Sequence, residues 1–301
     1  MLEEKYVVFH IQGGLGKNVA ATAIIKSIHK KYSDRKLIVV SPYPEIFLNN
    51  PYVWRAYKLG NTEYFYDDYI NGKDVVVLKR EPYDETQHIL KKSNLIKTWH
   101  DVYGLEYNEK DCKPELYMNM MQEKLASSWQ KQKPILLIQT NGGPFPKNSQ
   151  TSNYSWTRDM PPHIIEEVAK VFSKDYHIIQ ICRENSLKLK GAEIIDYDLS
   201  NFDLFSLIKA SSKRLFIDSC MQHAAAAFGL KSTVLWIGTH PNVFGYNVHN
   251  NIVANPPLGN TKLMSSYLFD YALSGTHQEC PYSDMMDIFD TKTIIDSVIK
   301  N

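Results

Sequence analysis

A length of 301 residues suits one large domain or two of ordinary size, and 44% hydrophobic with 22% charged residues fits a soluble globular protein with a real core. Lys+Arg 34 against Asp+Glu 33 leaves a net charge of +1, so bulk electrostatics gives no argument for a polyanionic partner, although a local basic patch stays compatible. No apolar run approaches the roughly 20 residues that span a bilayer, and the opening MLEEKYVVFHIQGG lacks the basic n-region and cleavage site of a signal peptide.

Lys5 to Ile11 is a short apolar, β-rich run, and the turn Gly13-Gly14-Leu15-Gly16 follows it. Lys17 to Lys31 reads as a helix with Ala20, Ile24 and Ile28 on one face. Lys36 to Val40 and Asp74 to Leu78 are further strands, and strand, helix, strand is the signature of a parallel sheet. Ser93 to Tyr103 reads as a helix stopped by Gly104. Lys124 to Lys133 reads as a polar link, after which the pattern restarts.

Pro134 to Gln139 is a strand, and a polar loop runs from it to about Ser155. Pro161 to Ser173 is a helix with proline at its start, where proline is tolerated. A strand at Tyr176 to Cys182, a helix at Asp203 to Ala210 and a strand at Arg214 to Ile217 follow. Then come a helix over Gln222 to Phe228 closed by Gly229, a strand at Ser232 to Ile237 and a terminal helix at Thr291 to Lys300. The chain therefore reads as α/β, with two Rossmann-like units over residues 1–130 and 131–301. Cys112, Cys182, Cys220 and Cys280 are widely spaced, with neither metal-ligand spacing nor a disulfide framework. Free thiols in a reducing, cytoplasmic compartment are the plain reading.

Gly13, Gly14 and Gly16 sit between a strand and a helix, where backbone approaches a ligand at a helix N-terminus. The loop is neither the full dinucleotide fingerprint nor a P-loop. The strongest local signal is FIDSCMQHAAAAFG, from Phe216 to Gly229. A buried strand ends at Asp218, and Ser219 is placed to cap the next helix. The N–H groups of Cys220, Met221 and Gln222 then point outward with the positive end of the helix dipole. Such a cradle holds a diphosphate without a metal. His223, in the first turn or so, is placed to donate to a phosphate oxygen. The chain is read as lacking the Asp-x-Asp element with which metal-dependent transferases hold Mg²⁺ or Mn²⁺, and the acidic pair Asp67-Asp68 lies in a tyrosine-rich, surface-like stretch, so no metal or other cofactor is expected.

The segment FIDSCMQHAAAAFGLKSTVLWIGTHPNVFG resembles the donor-binding segment of the ADP-heptose:lipopolysaccharide heptosyltransferase family, glycosyltransferase family nine. Asp218, Ser219 and His223 match its Asp-Ser/Thr-Gly-x-x-His motif, with Cys220 in place of the glycine. Trp236-Ile237-Gly238-Thr239 and Pro241 match the turn that follows. Asn201 to Ala210, Tyr154 to Phe172 (with Trp156 and Arg158 in altered order) and Cys280 to Ile299 resemble flanking segments. The likeness covers residues 134 to 301, and the N-terminal half shares only its strand, glycine loop and helix. The resemblance implies a GT-B architecture, two Rossmann-like domains with donor and acceptor meeting between them. It implies a nucleotide diphosphate sugar held by the C-terminal half. Thr140, Asn141, Gly142 and Arg158 would line the phosphate site, and Arg183 and Glu184 would lie by the base or ribose.

A further position departs from that family. Its first glycine loop is followed by an aspartate proposed as general base, and here Gly16 is followed by Lys17. A protonated lysine takes no proton unless its pKa is strongly lowered, so Lys17 is read as holding a phosphate or the acceptor. His10, His100 and Asp101 are the candidates for the base. The leading expectation is transfer of a sugar to an acceptor hydroxyl on a surface glycan such as a lipopolysaccharide core. A second acceptor class is DNA with hydroxymethylated bases, as for a phage DNA glycosyltransferase, with Lys79-Arg80, Lys91-Lys92 and Lys97 meeting phosphates. A nicotinamide-dependent oxidoreductase is disfavoured, because no ribose-binding acid follows Val40 at the end of the second strand. A non-catalytic nucleotide-sugar-binding protein would fit the missing aspartate.

Overall fold

The computed structural model describes residues 4–90, 93–110, 113–142, 156–255, 282 and 288–301. Strand β1 is Lys5–His10, and the glycine turn leads from it into α1, Leu15–Ala21. The helix expected over 17–31 comes in three pieces: α1, a 3-10 turn at Thr22–Ile24, and α2 at Ile25–Lys31. Thr22 accounts for the break. Its hydroxyl donates to the Val19 carbonyl at 2.6 Å and accepts from the Glu115 N–H at 2.9 Å, which competes with regular helix bonding.

Strands β2 (Lys36–Ser41), β3 (Arg55–Lys58) and β4 (Asp74–Leu78) complete the first sheet, with α3 at Phe65–Tyr69 before β4. All four strands are parallel, in the order β3-β2-β1-β4. Two helices follow, α4 at Thr86–Ile89 and α5 at Leu95–Tyr103. Asn94 caps α5 by accepting from the Ile96 N–H, and Gly104 closes it in the left-handed region. Val7, Phe9, Leu37 and Val39 pack in one core with residues of α1, α2 and α5, while Tyr6, Val8, Ile38 and Val40 pack in another with Tyr69. Both faces are buried, which is why these strands read as continuous apolar runs rather than as alternation.

The first half of the polar link expected at 124–133 is helix. Helix α6 spans Met120–Ser128 and opens with a capping box between Asn119 and Gln122. It packs against the second half: Glu123 pairs with Lys209, and the Trp129 indole donates to Ser206 Oγ at 3.1 Å.

The second half runs β5 (Ile135–Gln139), α7 (Pro162–Phe172), β6 (His177–Ile181), β7 (Glu193–Ile195) and α8 (Asn201–Ala210). It continues through β8 (Lys213–Ile217), α9 (Cys220–Ala227), β9 (Thr233–Trp236), α10 (Pro241–Phe244), β10 (Asn250–Val253) and α11 (Thr291–Ile299). Its six parallel strands lie in the order β10-β9-β8-β5-β6-β7. Leu136, Ile138, Leu215 and Ile217 pack with α7 and α11, and Leu137, Phe216, Val234 and Trp236 pack with α8 and α9.

The helices of the two sheets share one apolar core. Ile24, Ile28, Leu95 and Trp99 belong to the same cluster as Phe205, Met221, Ala224 and Val243. The alanine run explains how close the halves come. Ala224, Ala225 and Ala226 are buried, and α9 touches α1 as well as α8. No helix among the described residues is long and apolar enough to cross a membrane.

Candidate active site

The C-terminal ends of both sheets open onto one cleft of about 1510 Å³. Loops after β1, β2 and β4 line it from one side, and loops after β5, β6, β7 and β8 from the other. Crevices outside strand carboxyl ends, where strand order reverses, are where open parallel sheets bind ligands. A second hollow of about 730 Å³ lies at the N-terminal ends of β6 and β7, far from this chemistry, and none of the candidate residues lines it.

The first glycine loop is fixed by Asn18, which is fully buried. Its amide donates to the Gly13 and Gly14 carbonyls at 3.1 and 2.9 Å, and its oxygen accepts from Ser41 Oγ at 2.7 Å. Gly13 has φ +96, a backbone that side chains rarely adopt. Gly16 is required by proximity instead. A Cβ there would lie 3.2 Å from Cys220 N, Cys220 Cα and His223 Cδ2. The start of α1 thus sits directly against the start of α9, and two helix N-termini converge on one point.

At α9, Ser219 Oγ accepts from the Met221 N–H at 3.3 Å and donates to Gln139 Oε1. First-turn amides have no intrahelical acceptor. With Met221 capped, the amides of Cys220 and Gln222 remain for a ligand, so the cradle is narrower than the three amides expected. Asp218 is buried and accepts from Thr239 Oγ1 at 2.7 Å, which braces the strand end. The Gln222 side chain is buried and donates to the Phe244 carbonyl at 3.1 Å, so only its backbone belongs to the cradle. Burial pushes the Cys220 thiol up to about 11, which keeps it protonated at neutral pH.

His223 lies on the cleft and is 6% exposed. Burial, then the charges of His249 and Arg158, lower its imidazole to about 3, so the ring is neutral. Nδ1 lies 2.7 Å from the Tyr246 hydroxyl. With the phenol donating, the ring proton sits on Nε2, beside the Cδ2 that faces Gly16. The Gln222 amide lies 3.2 Å from both ring nitrogens, a position well directed at neither. Tyr246, which carries no sequence signal of its own, is thereby tied to His223.

Asn141 and Gly142 follow β5 on the cleft wall. The Gly142 N–H donates to Asp159 at 3.2 Å, and its carbonyl accepts from Arg183 at 2.7 Å. Arg183 also pairs with the fully buried Asp159. Its guanidinium therefore clamps this loop. Glu184 is exposed at the cleft, and Arg158 lines the same cleft beside Gly142. Thr140 is different: it is buried, donates to Asn141 Oδ1 and accepts from Gln180, and it does not line the cleft.

Among the base candidates, His10 ends β1 but is not among the cleft-lining residues, and burial followed by the charge of Lys79 lowers its imidazole. His100 is fully buried, with its ring nitrogens on the Ile96 carbonyl and Ser27 Oγ at 2.8 and 3.0 Å. Asp101 pairs with Lys97 at 2.7 Å on an exposed helix face. Packing thus assigns His100 and Asp101 to local structure. Lys17 lines the cleft and pairs with Glu81, a carboxylate that follows β4 and that the sequence does not single out. The expectation that the chain lacks an Asp-x-Asp element is wrong, because three consecutive residues form one. Asp196-Tyr197-Asp198 follows β7 as an Asp-x-Asp triplet and lines the cleft, with Asp196 paired to Lys188. Among the described residues no group of three or more His, Cys, Asp or Glu is placed to hold a metal ion.

No family model matches the chain, and no curated protein matches its sequence. Solved structures do match its fold. The glycosyl transferase family 9 structure from Veillonella parvula DSM 2008 is 12% identical, with a TM-score of 0.66 over 99% of this chain and 97% of that one. The E. coli ADP-heptose lps heptosyltransferase II is 11% identical, with a TM-score of 0.63 over 85% and 92%. A dodecameric iron-containing heptosyltransferase, TibC, in complex with ADP-D-beta-D-heptose, is 13% identical, with a TM-score of 0.58 over 83% and 62%. With its two parallel sheets facing across a cleft, the chain has the two-domain GT-B fold of these glycosyltransferase structures.

Proposed function

We propose that the chain is a glycosyltransferase that moves a sugar from a nucleotide diphosphate sugar to an acceptor hydroxyl. The donor lies on residues 131–301 and the acceptor on residues 1–130. One observation carries this reading: the N-terminus of α9, with His223 in its first turn, meets the glycine loop of the other half inside a single cleft. A helix N-terminus favours the charge that grows on a departing diphosphate. His223 adds a neutral N–H donor, and Arg158 adds a cation on the same wall. The acceptor is read as a glycan, with the heptosyltransferase structures as its support. A DNA acceptor is less well supported, because Arg80 pairs with Glu85 and Lys97 with Asp101; Lys91 and Lys92 lie outside the described residues. Free Cys182 and Cys220 fit a reducing, cytoplasmic setting; Cys112 and Cys280 also lie outside the described residues.

Thermal shift against ADP-heptose, UDP-glucose and GDP-mannose tests donor binding, since a ligand of the native state raises the midpoint by mass action. A shift accompanied by transfer to a lipopolysaccharide core is the expected result. Binding without transfer or donor hydrolysis points to a non-catalytic binding protein, and transfer to hydroxymethylated duplex DNA points to the phage-type acceptor. The reading is metal-independent. Activity abolished by chelator and restored by Mn²⁺ would contradict it and direct attention to Asp196 and Asp198.

A further inference from the structure

The Lys17–Glu81 pair occupies a defined place in the cleft. Lys17 is the residue after Gly16, the glycine that touches Cys220 and His223. Glu81 follows β4, the parallel neighbour of β1, so sheet order brings the two loops side by side. The Lys17 ammonium pairs with Glu81 and lies 4.8 Å from the centre of the Tyr83 ring. The Lys17 side chain also runs close over Gly13, with Cδ 3.0 Å from where a Cβ would stand. The lysine side chain is 14% exposed, so its position is fixed, while that of Glu81 is 32% exposed. An ionised carboxylate has about four lone-pair positions. One ammonium does not consume them, and Glu81 lines the cleft.

Of the other acidic groups on the cleft, Asp84 on the same loop is exposed and is not the partner of Lys17, and Glu184 is exposed on the donor half. Asp218 is buried against Thr239. Asp196 is paired with Lys188, and it and Asp198 lie on the donor half. A protonated lysine at position 17 accepts no proton, but it can orient a group that does. Resting on the glycosyltransferase reading, we propose that Glu81 is the general base of transfer and Lys17 the positioning residue that holds it. The acceptor hydroxyl gives its proton to a Glu81 oxygen. The freed electron pair forms the bond to the anomeric carbon. The bond from that carbon to the diphosphate oxygen breaks, and its electron pair departs with the diphosphate toward α9 and His223. The proton on Glu81 is then lost to water.

Release of nucleoside diphosphate from ADP-heptose, UDP-glucose and GDP-mannose, with water as acceptor, tests this on the full chain. Glu81→Gln should lower kcat by about 10²-fold or more, within the range for a lost general base, with donor Kd changed less than about twofold. Glu81→Ala should lose the same activity and regain it several-fold in added formate, which replaces the missing carboxylate; a purely structural role gives no such rescue. Melting temperatures near that of the parent show that both variants fold. A Glu81→Gln rate within about threefold of the parent, or a Glu81→Ala loss that formate leaves unchanged, overturns the role of Glu81 and leaves the glycosyltransferase reading standing. No release from any donor by the parent protein overturns that reading itself.

Discussion

At His223, the burial that keeps the imidazole neutral also limits what the ring can do. With no ligand bound the ring is neutral, because burial, then the charges of His249 and Arg158, lower it to about 3. It can donate one N–H, which is on Nε2 when the Tyr246 hydroxyl donates to Nδ1. A donor of this kind contributes most where charge develops, so it acts on kcat more than on binding. His223→Ala is therefore expected to lower kcat by about 10²–10³, as for a lost oxyanion-hole donor, with a much smaller change in donor Kd. Titrations, turnover and melting on one preparation decide the matter. A well-folded variant with near-normal turnover would remove His223 from the site. The motif at Asp218, Ser219 and His223 was legible because its residues are neighbours in sequence. Glu81 was not, since its partner Lys17 is 64 positions away and only the β1–β4 pairing unites them. Tyr246 was hidden for the same reason.

Among the elements, the contact of α1 with α9 is the one that builds the site, and Gly16 is its hinge point. Gly16→Ala places a methyl 3.2 Å from backbone atoms of Cys220, so α9 must give by a few tenths of an ångström. Overpacking of this kind costs about 1–3 kcal/mol. Denaturant unfolding of the variant should show that loss, together with weaker donor binding; an unchanged midpoint and affinity would show that α1 and α9 are not in fixed contact. Element legibility followed burial. Strands with both faces covered, such as β1, β2 and β8, announce themselves as apolar runs. The three strands without such a run, β3, β7 and β10, are sheet edges. They span only three or four residues and are half-exposed, so their sequences carry polar residues that blur the pattern. Helix α6 has no buried residue and hence no apolar stripe to mark it.

The whole molecule carries its histidines as a pH-dependent liability. Burial first, then the charges of His249 and Arg158, hold His223 at about 3, and burial holds His249 and His88 at about 4. A free imidazole titrates at about 6.5. Between about pH 6.5 and 4 the unfolded chain binds protons on these residues that the folded chain does not, so stability falls as pH drops through that window. Each group contributes up to about 1.4 kcal/mol per pH unit. Urea midpoints should decline steadily from about pH 7 to 4.5, and a flat profile would mean that these rings are solvated. The two-unit plan was legible from the restart of the strand pattern after residue 133, while the core shared by both halves was not, because each helix shows its apolar face without naming its partner. Transfer depends on the placement of the donor diphosphate between those halves. A crystal soaked with ADP should show its phosphates at the amides of Cys220 and Gln222, with His223 Nε2 in hydrogen-bonding reach. Phosphates bound only at Gly13 to Gly16 would contradict it.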